Sequence, residues 1–210
     1  MTAINIFLHH YFDDTGLLYP SGSKTNVFYV ILWFIFLANF LTDRENNMAR
    51  RTTHFAIRRF RPEFDCAAVG ALYRQSITEL GAASYEQAVI EVWRKWGENT
   101  QAIALTLSQG QTLIAQHSGR IAGFAQRHPD NHINMLYVHP DFARRGIASA
   151  LLEELLISAR RERVRELSVN ASRVSRSLFE KHGFKAGEAE WVERENLKIE
   201  RFPMTFALKD

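Results

Sequence analysis

Cysteine is almost absent from this sequence, since Cys66 is the only one among 210 residues. A single cysteine excludes an internal disulfide and indicates a reducing compartment, so we expect a cytoplasmic protein. A strong charge of one sign is also lacking, because the formal net charge is only +3. This weak positive charge suits an anionic ligand but does not support nucleic-acid binding. Internal repeats and low-complexity stretches are absent too, which excludes a repeat protein.

Long apolar runs are scarce as well, with one exception near the N-terminus. Residues 27–41, VFYVILWFIFLANFL, are apolar apart from Asn39. As a helix this run spans about 22 Å, against about 30 Å for the hydrocarbon core of a membrane. We therefore divide the chain into an N-terminal extension, residues 1–47, and a folded domain, residues 48–210. The extension is either a short membrane anchor that leaves the domain in the cytosol, or an over-extended gene start followed by the natural start at Met48.

The hydrophobic pattern of the remaining sequence predicts a succession of strands and helices. Period-two patterns indicate strands, and apolar residues three and four apart indicate helices. Strands are predicted at residues 54–60, 112–117, 120–126, 133–139 and 166–172, with a closing hairpin in 188–208, and helices at 61–81, 84–96, 148–159 and 172–183. Ser84, with Gln87 three residues on, is the predicted cap of the second helix. The order β-α-α-β-β-β-α-β-α-β-β predicts an α/β fold, a mixed central sheet of about seven strands flanked by about four helices.

The stretch HPDFARRGIASALLEEL, residues 139–155, places two arginines and a glycine at the start of a leucine-rich helix. A helix N-terminus offers unpaired backbone N–H groups and about half a positive charge, which together make an anion site. Gly146 lets a ligand approach the backbone, and Ala148 keeps the first turn narrow. Arg144 and Arg145 add positive charge at the rim. The turn therefore predicts a phosphate or pyrophosphate site, although an isolated R-R-G more often marks a plain connection with solvated arginines.

A longer arrangement surrounds this turn. Residues 133–184 contain, in this order, a strand, a V-x-P turn, R-R-G-x-A at the start of a helix, a second strand and a short helix ending in LFEKHGF. This arrangement resembles the GNAT (GCN5-related) N-acetyltransferase superfamily, in particular an uncharacterised bacterial-type branch, and a weaker likeness extends over residues 54–208. The motif of the superfamily, Q/R-x-x-G-x-G/A, holds the pyrophosphate of acetyl-CoA. Gly146 and Ala148 match it, whereas Ala143 stands at the leading Q/R, which removes one side-chain contact.

The resemblance implies the GNAT acyl-CoA N-acyltransferase fold for residues 48–210, with acetyl-CoA as co-substrate. It also implies that the strand at 133–139 splays from the strand at 166–172. The pantothenate arm of acetyl-CoA would pair in that gap, and backbone amides near Tyr137 and Val138 would polarise the thioester carbonyl. Ser172 stands where many members have an asparagine beside the pantetheine arm. The residues expected to bind the cofactor are Tyr137, Val138, Arg144, Arg145, Gly146, Ile147, Ala148, Ser149, Ser172 and Phe179.

The catalytic residues are less determined than the cofactor site. Many members of the superfamily protonate the leaving thiolate with a tyrosine at the position of Phe179, so the general acid is left to Tyr137 on the facing strand or to water. Many members also carry a glutamate near the position of Asn134. The histidines and the aspartate in residues 128–139 match no metal-ligand spacing, so no metal is expected. The candidates for reaching the acceptor amine through a bound water are His132, Glu79 and Tyr85.

These features predict an acetyl-CoA-dependent N-acetyltransferase that moves the acetyl group directly to a primary amine, in a small molecule, at a peptide N-terminus or on a lysine. Two alternatives stay open. Phe179, Ala143 and the missing glutamate are compatible with an acyl-CoA-binding regulatory module of little or no activity. The run at 27–41 is compatible with a membrane-tethered interaction protein, and membrane contact depends on that segment. No nucleic-acid partner is expected, and a homodimer stays open.

Overall fold

The computed structural model describes residues 55–208, so the predicted extension, its apolar run at 27–41 and Met48 lie outside the described residues. The strands are β1 (Phe55–Arg59), β2 (Gln111–His117), β3 (Arg120–Arg127), β4 (His132–Val138), β5 (Glu166–Ala171), β6 (Lys185–Ala186), β7 (Glu190–Arg194) and β8 (Leu197–Ala207). The helices are α1 (Pro62–Gln75), α2 (Gln87–Arg94), α3 (Thr100–Leu107), α4 (Ile147–Arg161) and α5 (Arg176–Lys181). A π-helical turn, Ser76–Leu80, continues α1, and 3-10 turns follow α2 (Lys95–Glu98) and precede α4 (Pro140–Phe142). Among residues 55–208, no helix combines the length and apolarity needed to cross a membrane.

The strands form a mixed sheet in the order β1-β2-β3-β4-β5-β8-β6, with β7 paired to β8 outside this path. Neighbouring strands are antiparallel, except that β4 and β5 run parallel. The predicted α/β class with a mixed central sheet is therefore confirmed. The described residues hold eight strands because the two-residue β6 adds to the seven expected from the sequence pattern.

The sheet separates two apolar layers, one under α4 and one under α1 and α3. Fully buried members of the first are Ile133, Leu151, Leu152, Leu155 and Leu167, and those of the second are Val69, Leu72, Ile103, Ile114 and Phe124. Full burial of one such side chain contributes about 1.5–3 kcal/mol. β4 serves both layers, because successive side chains of a strand point to opposite faces. Leu136 and Val138 pack on the α4 side. Met135 and Tyr137 pack on the α1 side.

The second predicted helix begins later than expected, and Ser84 does not cap it. α2 begins at Gln87 after Glu86, and no side chain bonds its first amides. The backbone N–H of Ser84 instead donates to the carbonyl of Gly81 at 2.9 Å. The reason is the π-helical turn, which carries the end of α1 into a tight turn at residues 81–85 and leaves Ser84 inside that turn.

The sequence pattern does not predict α3, which makes five helices in the described residues where about four were expected. The residues TQAIALTL are apolar at most positions and carry no distinct stripe at three-and-four spacing. The start signal is Asn99, whose side-chain oxygen accepts a hydrogen bond from the N–H of Ala102 at 2.9 Å. Such a cap contributes about 1 kcal/mol. An asparagine in front of an apolar run was therefore the signal that could have identified this helix.

Candidate functional site

A gap in the sheet between β4 and β5 is the first component of the site. The two strands pair only at their beginnings, where His132 lies opposite Ser168 and Ile133 opposite Val169. Beyond that point β4 continues to Val138 without a partner on this side. The structure thus contains the splay that the resemblance implies, with its closed end at Ile133.

A β-bulge at Asn134 explains why the two strands separate. On the other side of β4, Gln126 of β3 pairs with Met135 and Arg127 pairs with Ile133, so Asn134 has no partner in the register. A bulge bends its strand and increases the local twist. The exposed side chain of Asn134 donates from Nδ2 to Oε1 of Gln126 at 2.8 Å, which holds the bulge against β3. β4 therefore turns away from β5 just after the last pair that the two strands share.

Backbone donors of β4 face this gap at alternate residues. The N–H of His139 donates to the carbonyl of Ala122 at 2.9 Å, which directs it toward β3. In an antiparallel pair the hydrogen-bonding residues alternate, so Tyr137 also bonds toward β3, while the amides of Leu136 and Val138 point toward the gap. The sequence pointed to amides near Tyr137 and Val138. The alternation keeps Val138 among the gap-facing amides, adds Leu136 and directs the amide of Tyr137 toward β3 instead.

The turn before α4 is the second component. Two residues of this turn have positive φ, Arg144 at 63° and Gly146 at 82°. The first helical hydrogen bond runs from the N–H of Ala150 to the carbonyl of Gly146 at 3.0 Å. The amides of Ile147, Ala148 and Ser149 consequently have no partner within the helix, and Gly146 has no side chain to cap them. This is the geometry of an anion site at a helix N-terminus.

Gly146 is required here by its backbone conformation and not by lack of space. A Cβ at this position would meet no atom within 4 Å, but φ is +82°, a region that other residues rarely adopt. The side chain of Ile147 is buried in the layer under α4, so only its amide is available to a ligand. Ala148 and Ser149 are half-buried at the same turn. The turn therefore offers backbone donors beside an open surface.

Two exposed arginines give the rim of this turn its charge. Arg144 and Arg145 are both exposed, and the guanidinium of Arg145 lies 5.4 Å from the ring centroid of Phe142. The nearby carboxylate of Asp141 is paired with Arg120 at 2.8 Å, and this hydrogen bond lowers the pKa of Asp141. Arg120 is the ion-pair partner of Asp141, and the charge of Arg145 also lowers the pKa of that carboxyl, but the three arginines outnumber the one carboxylate and leave the rim positive for an anion.

Ser172 and Phe179, both predicted to bind the cofactor, lie in different surroundings. Ser172 follows the end of β5, and its hydroxyl lies 3.0 Å from the hydroxyl of Ser175 at the start of α5. Phe179 is only 1% exposed and packs edge-on against Phe184 at 5.2 Å. The ring of Phe179 therefore offers no surface to a ligand, whereas Ser172 lies at the rim of the gap.

The ring of Tyr137 leaves the plane of the gap and packs toward α1. It lies 4.7 Å from the ring of Tyr73 and 5.5 Å from that of Phe124. The hydroxyls of Tyr137 and Tyr73 share a hydrogen bond, and burial raises the pKa of both phenols. Tyr137 therefore stays protonated, and its hydroxyl oxygen accepts the hydrogen bond from Tyr73 on the α1 side of the sheet.

His132 and Glu79, the other predicted catalytic candidates, differ in their surroundings. Nδ1 of His132 lies 2.8 Å from Oγ of Ser168, which itself donates to the carbonyl of Asn131 at 3.2 Å. When the hydroxyl of Ser168 donates to Asn131, Nδ1 of His132 carries the proton and Nε2 is the acceptor. Burial, assisted by the charge of Arg201, lowers the pKa of His132 and favours the neutral ring. Glu79 is exposed on the π-helical turn.

Tyr85 occupies a position that the sequence left undetermined. Its hydroxyl oxygen accepts a hydrogen bond from the backbone N–H of Arg173 at 2.8 Å and is also bonded to the side chain of Ser172. This places a phenol from the loop before α2 at the end of β5.

Within residues 55–208 no group of three histidine, cysteine, aspartate or glutamate side chains could hold a metal ion.

Comparison with known proteins gives consistent matches. Residues 79–208 match the family described as acetyltransferase (GNAT) domain. YafP, an uncharacterised N-acetyltransferase of Escherichia coli (strain K12), is 30% identical over 150 residues, 71% of this chain and 94% of that protein. A GCN5-related N-acetyltransferase of Rhodopseudomonas palustris has a TM-score of 0.70 at 33% identity, covering 73% of this chain and 95% of the other. The PaiA N-acetyltransferase of Thermoplasma acidophilum, solved with coenzyme A, has a TM-score of 0.60 at 19% identity, and the match covers 73% of this chain and 98% of the other. This last likeness is one of fold.

Proposed function

The chain belongs to the GNAT family of acetyltransferases, and from this premise we propose that it transfers the acetyl group of acetyl-CoA directly to a primary amine. The observation that carries the proposal is the set of backbone donors left unpaired by the sheet and by α4. The amides of Leu136 and Val138 face a gap with no strand in it. The amides at the start of α4 lie beside an open surface, next to the exposed Arg144 and Arg145.

These donors fit the two polar parts of acetyl-CoA. The pyrophosphate is an anion, and it matches the amides of Ile147, Ala148 and Ser149 with the charge of Arg144 and Arg145 at the rim. The pantetheine arm carries amide groups, and it pairs with β4 as an additional strand would. The thioester carbonyl then accepts from a gap-facing amide of β4, which stabilises the negative charge that develops on its oxygen. Ser172 contacts the arm from the β5 side.

The acceptor amine must be neutral before it attacks the thioester carbon. His132 is the proposed base, because it lies at the closed end of the gap and its neutral ring is favoured. Nε2 takes a proton from the amine, directly or through one water, and the hydrogen bond of Nδ1 to Ser168 fixes the tautomer. The acetyl group passes directly to nitrogen through a tetrahedral intermediate, without an acetylated enzyme. A small molecule, a peptide N-terminus or a lysine would satisfy this chemistry.

One observation favours a second candidate, an acyl-CoA-binding regulatory module. Phe179 is buried at the position from which many relatives protonate the thiolate, so α5 supplies no hydroxyl there. Both candidates require acetyl-CoA binding, and only the transferase releases free thiol in the presence of an amine. Thiol release with any amine therefore excludes the regulatory module as the whole function.

The deciding experiment is a calorimetric titration of acetyl-CoA into the full-length protein, followed by thiol detection with a panel of primary amines. We expect micromolar binding and amine-dependent thiol release. Binding without thiol release from any amine supports the regulatory module. Absence of binding up to millimolar acetyl-CoA overturns both candidates.

A further inference from the structure

Collapse of the tetrahedral intermediate leaves an electron pair on the sulfur of coenzyme A, and a positioned acid accelerates this step. Phe179 supplies no acid, since it has no hydroxyl and is buried. Tyr137 lies on the facing strand, but its ring leaves the plane of the gap and packs against Tyr73 and Phe124 on the α1 side of the sheet. The proton therefore has to come from another group at the edge of the gap, or from water.

Tyr85 brings a phenol to that edge. Its hydroxyl bonds to Ser172 and to the N–H of Arg173, the first two residues after β5. Counted from the last shared pair, Ile133 and Val169, Leu136 and Ser172 each lie three residues further along their strands, on opposite sides of the gap. The phenol is also close enough to Tyr137 on β4 to affect the pKa of that residue. Tyr85 thus lies where the gap is bordered by both strands.

The ring of Tyr85 is held in place on two sides. Trp93 packs edge-on against it at 4.8 Å, and the guanidinium of Arg173 lies 5.7 Å from its centroid. Arg173 is fixed in turn by Glu200 at 2.7 Å and by the carbonyl of Ser84 at 3.1 Å. Catalytic groups need such support, because their rotamers must be set before substrate arrives.

We propose that Tyr85 is the proton donor to the departing sulfur, in the place that Phe179 leaves without a hydroxyl. The inference rests on the proposed acetyl transfer. The amine nitrogen forms a bond to the acetyl carbon, the carbon–sulfur bond breaks, and its electron pair stays on sulfur. Tyr85 gives its phenolic proton to that sulfur, which leaves as the free thiol. The proton released from the amine returns through water to the phenolate.

The surroundings of Tyr85 suit both halves of this exchange. The pKa of the Tyr85 phenol is raised, mainly by burial and to a smaller extent by the charge of Glu200. The hydrogen bonds from the N–H of Arg173 and from Ser172, together with the charge of Arg173, oppose this rise. The group is therefore protonated at neutral pH and able to donate. The N–H of Arg173 then stabilises the phenolate until it is reprotonated.

A structural role is the competing explanation, since the same hydrogen bonds attach the loop before α2 to the end of β5. Tyr85→Phe removes only the hydroxyl and separates the two roles. We expect kcat to fall by about 10²- to 10⁴-fold, with the Kd for acetyl-CoA unchanged by calorimetry. The wild-type kcat should decline at alkaline pH as the phenol ionises, and the variant should lack that decline.

Two further variants sharpen the test. Tyr73→Phe is the matched control, because it removes a neighbouring phenol and should retain the alkaline decline. Replacement of Tyr85 by a fluorotyrosine of lower phenol pKa should move the decline to lower pH, which a purely structural hydroxyl would not do. The reaction is followed as thiol release from acetyl-CoA with spermidine, phenylalanine or a lysine-containing peptide, using the best acceptor of the three.

The outcomes separate this inference from the function on which it rests. A wild-type protein that releases no thiol with any of the three amines overturns both. An active wild type with a Tyr85→Phe kcat within twofold, or with the alkaline decline intact, overturns only the role of Tyr85. A Tyr85→Phe variant whose Kd for acetyl-CoA rises in parallel with the loss of kcat assigns the hydroxyl to structure and also overturns it.

Discussion

Replacement of Gly146 by glutamate tests the anion site at the start of α4. The residue has φ +82°, and this left-handed conformation costs a non-glycine residue about 1–2 kcal/mol. No clash is added, because a Cβ there would meet no atom within 4 Å. A loss of this size lowers the melting temperature of a chain of this length by about 2–8 °C. We therefore expect Gly146→Glu to be folded and only moderately destabilised.

Binding of acetyl-CoA should suffer more than folding does. A carboxylate about 4 Å from a phosphate is repelled by about 1 kcal/mol in water and by about 4 kcal/mol at the lower effective dielectric of a protein surface. These limits correspond to a Kd about 5- to 1000-fold weaker. Added salt should recover part of the loss, because exposed charges are screened. Titration calorimetry at low and high salt measures both effects.

Gly119→Glu is the matched control for strain. Gly119 has φ +81° and also has nothing within 4 Å of its Cβ position, but it lies in the turn between β2 and β3. The two glutamate variants should lose similar stability, and only Gly146→Glu should lose affinity. Gly146→Gln, which has the same bulk without the charge, should bind more tightly than Gly146→Glu at low salt. Equal affinities for Gly146→Glu and wild type would refute the assignment of phosphate to this turn.

Three further predictions concern stability, the base and the rim charges. Asp65→Ala removes the two hydrogen bonds of 2.7 and 2.8 Å that Arg58 donates to Asp65 and leaves those to Gln116 and to the carbonyl of Arg59. The loss should cost about 3 kcal/mol, the lower limit for a broken buried pair, because Arg58 is 24% exposed and keeps two acceptors. Burial raises the pKa of Asp65, but the hydrogen bonds, first that from Arg58, outweigh burial, so the folded-state pKa lies below the ordinary value. In urea unfolding, the wild type should therefore lose this stability as the pH falls through the folded-state pKa. The Asp65→Ala variant should not show this loss. His132→Gln should lower kcat and leave the KM for acetyl-CoA unchanged. In the wild type, kcat should fall at acid pH with a pKa below the ordinary histidine value, because burial lowers the pKa of His132. The variant should lack this acid limb of the pH profile, and a retained limb would assign the base to another residue. Replacing Arg144 and Arg145 by alanine should weaken acetyl-CoA binding by up to about 1 kcal/mol each at low salt and by much less at 1 M salt, where charges are screened; a salt-independent loss would contradict a purely electrostatic role.

The sequence predicted the parts of the site that depend on local chemistry. The R-R-G turn is readable because a helix N-terminus needs only its own backbone and the glycine that precedes it. The order of elements is readable because hydrophobic periodicity differs between strands and helices. Gly146, Arg144 and Arg145 accordingly lie where the spacing placed them, at the start of α4.

The parts that depend on contacts far apart in sequence could not be predicted. Tyr85 reaches Arg173 across 88 positions, and no local pattern records that approach. Which amides of β4 face the gap depends on the register with β3 and on the bulge at Asn134, both of which are set by pairing. Phe179 was assigned to the cofactor by its place in a motif, but its burial depends on packing against Phe184.

The site follows from two places where the fold leaves backbone donors unpaired. Proteins pair nearly all such groups, because an unsatisfied donor away from water is costly. Here the bulge at Asn134 ends the pairing of β4 with β5, and the left-handed Gly146 starts α4 without a capping side chain. Both sets of unpaired donors lie between Leu136 and Ser149, so one extended ligand with amides at one end and phosphates at the other can satisfy both sets. A chain selected for stability alone would close the gap and cap the helix, so these two unpaired sets of donors are the physical reason for the proposal that this surface binds acetyl-CoA.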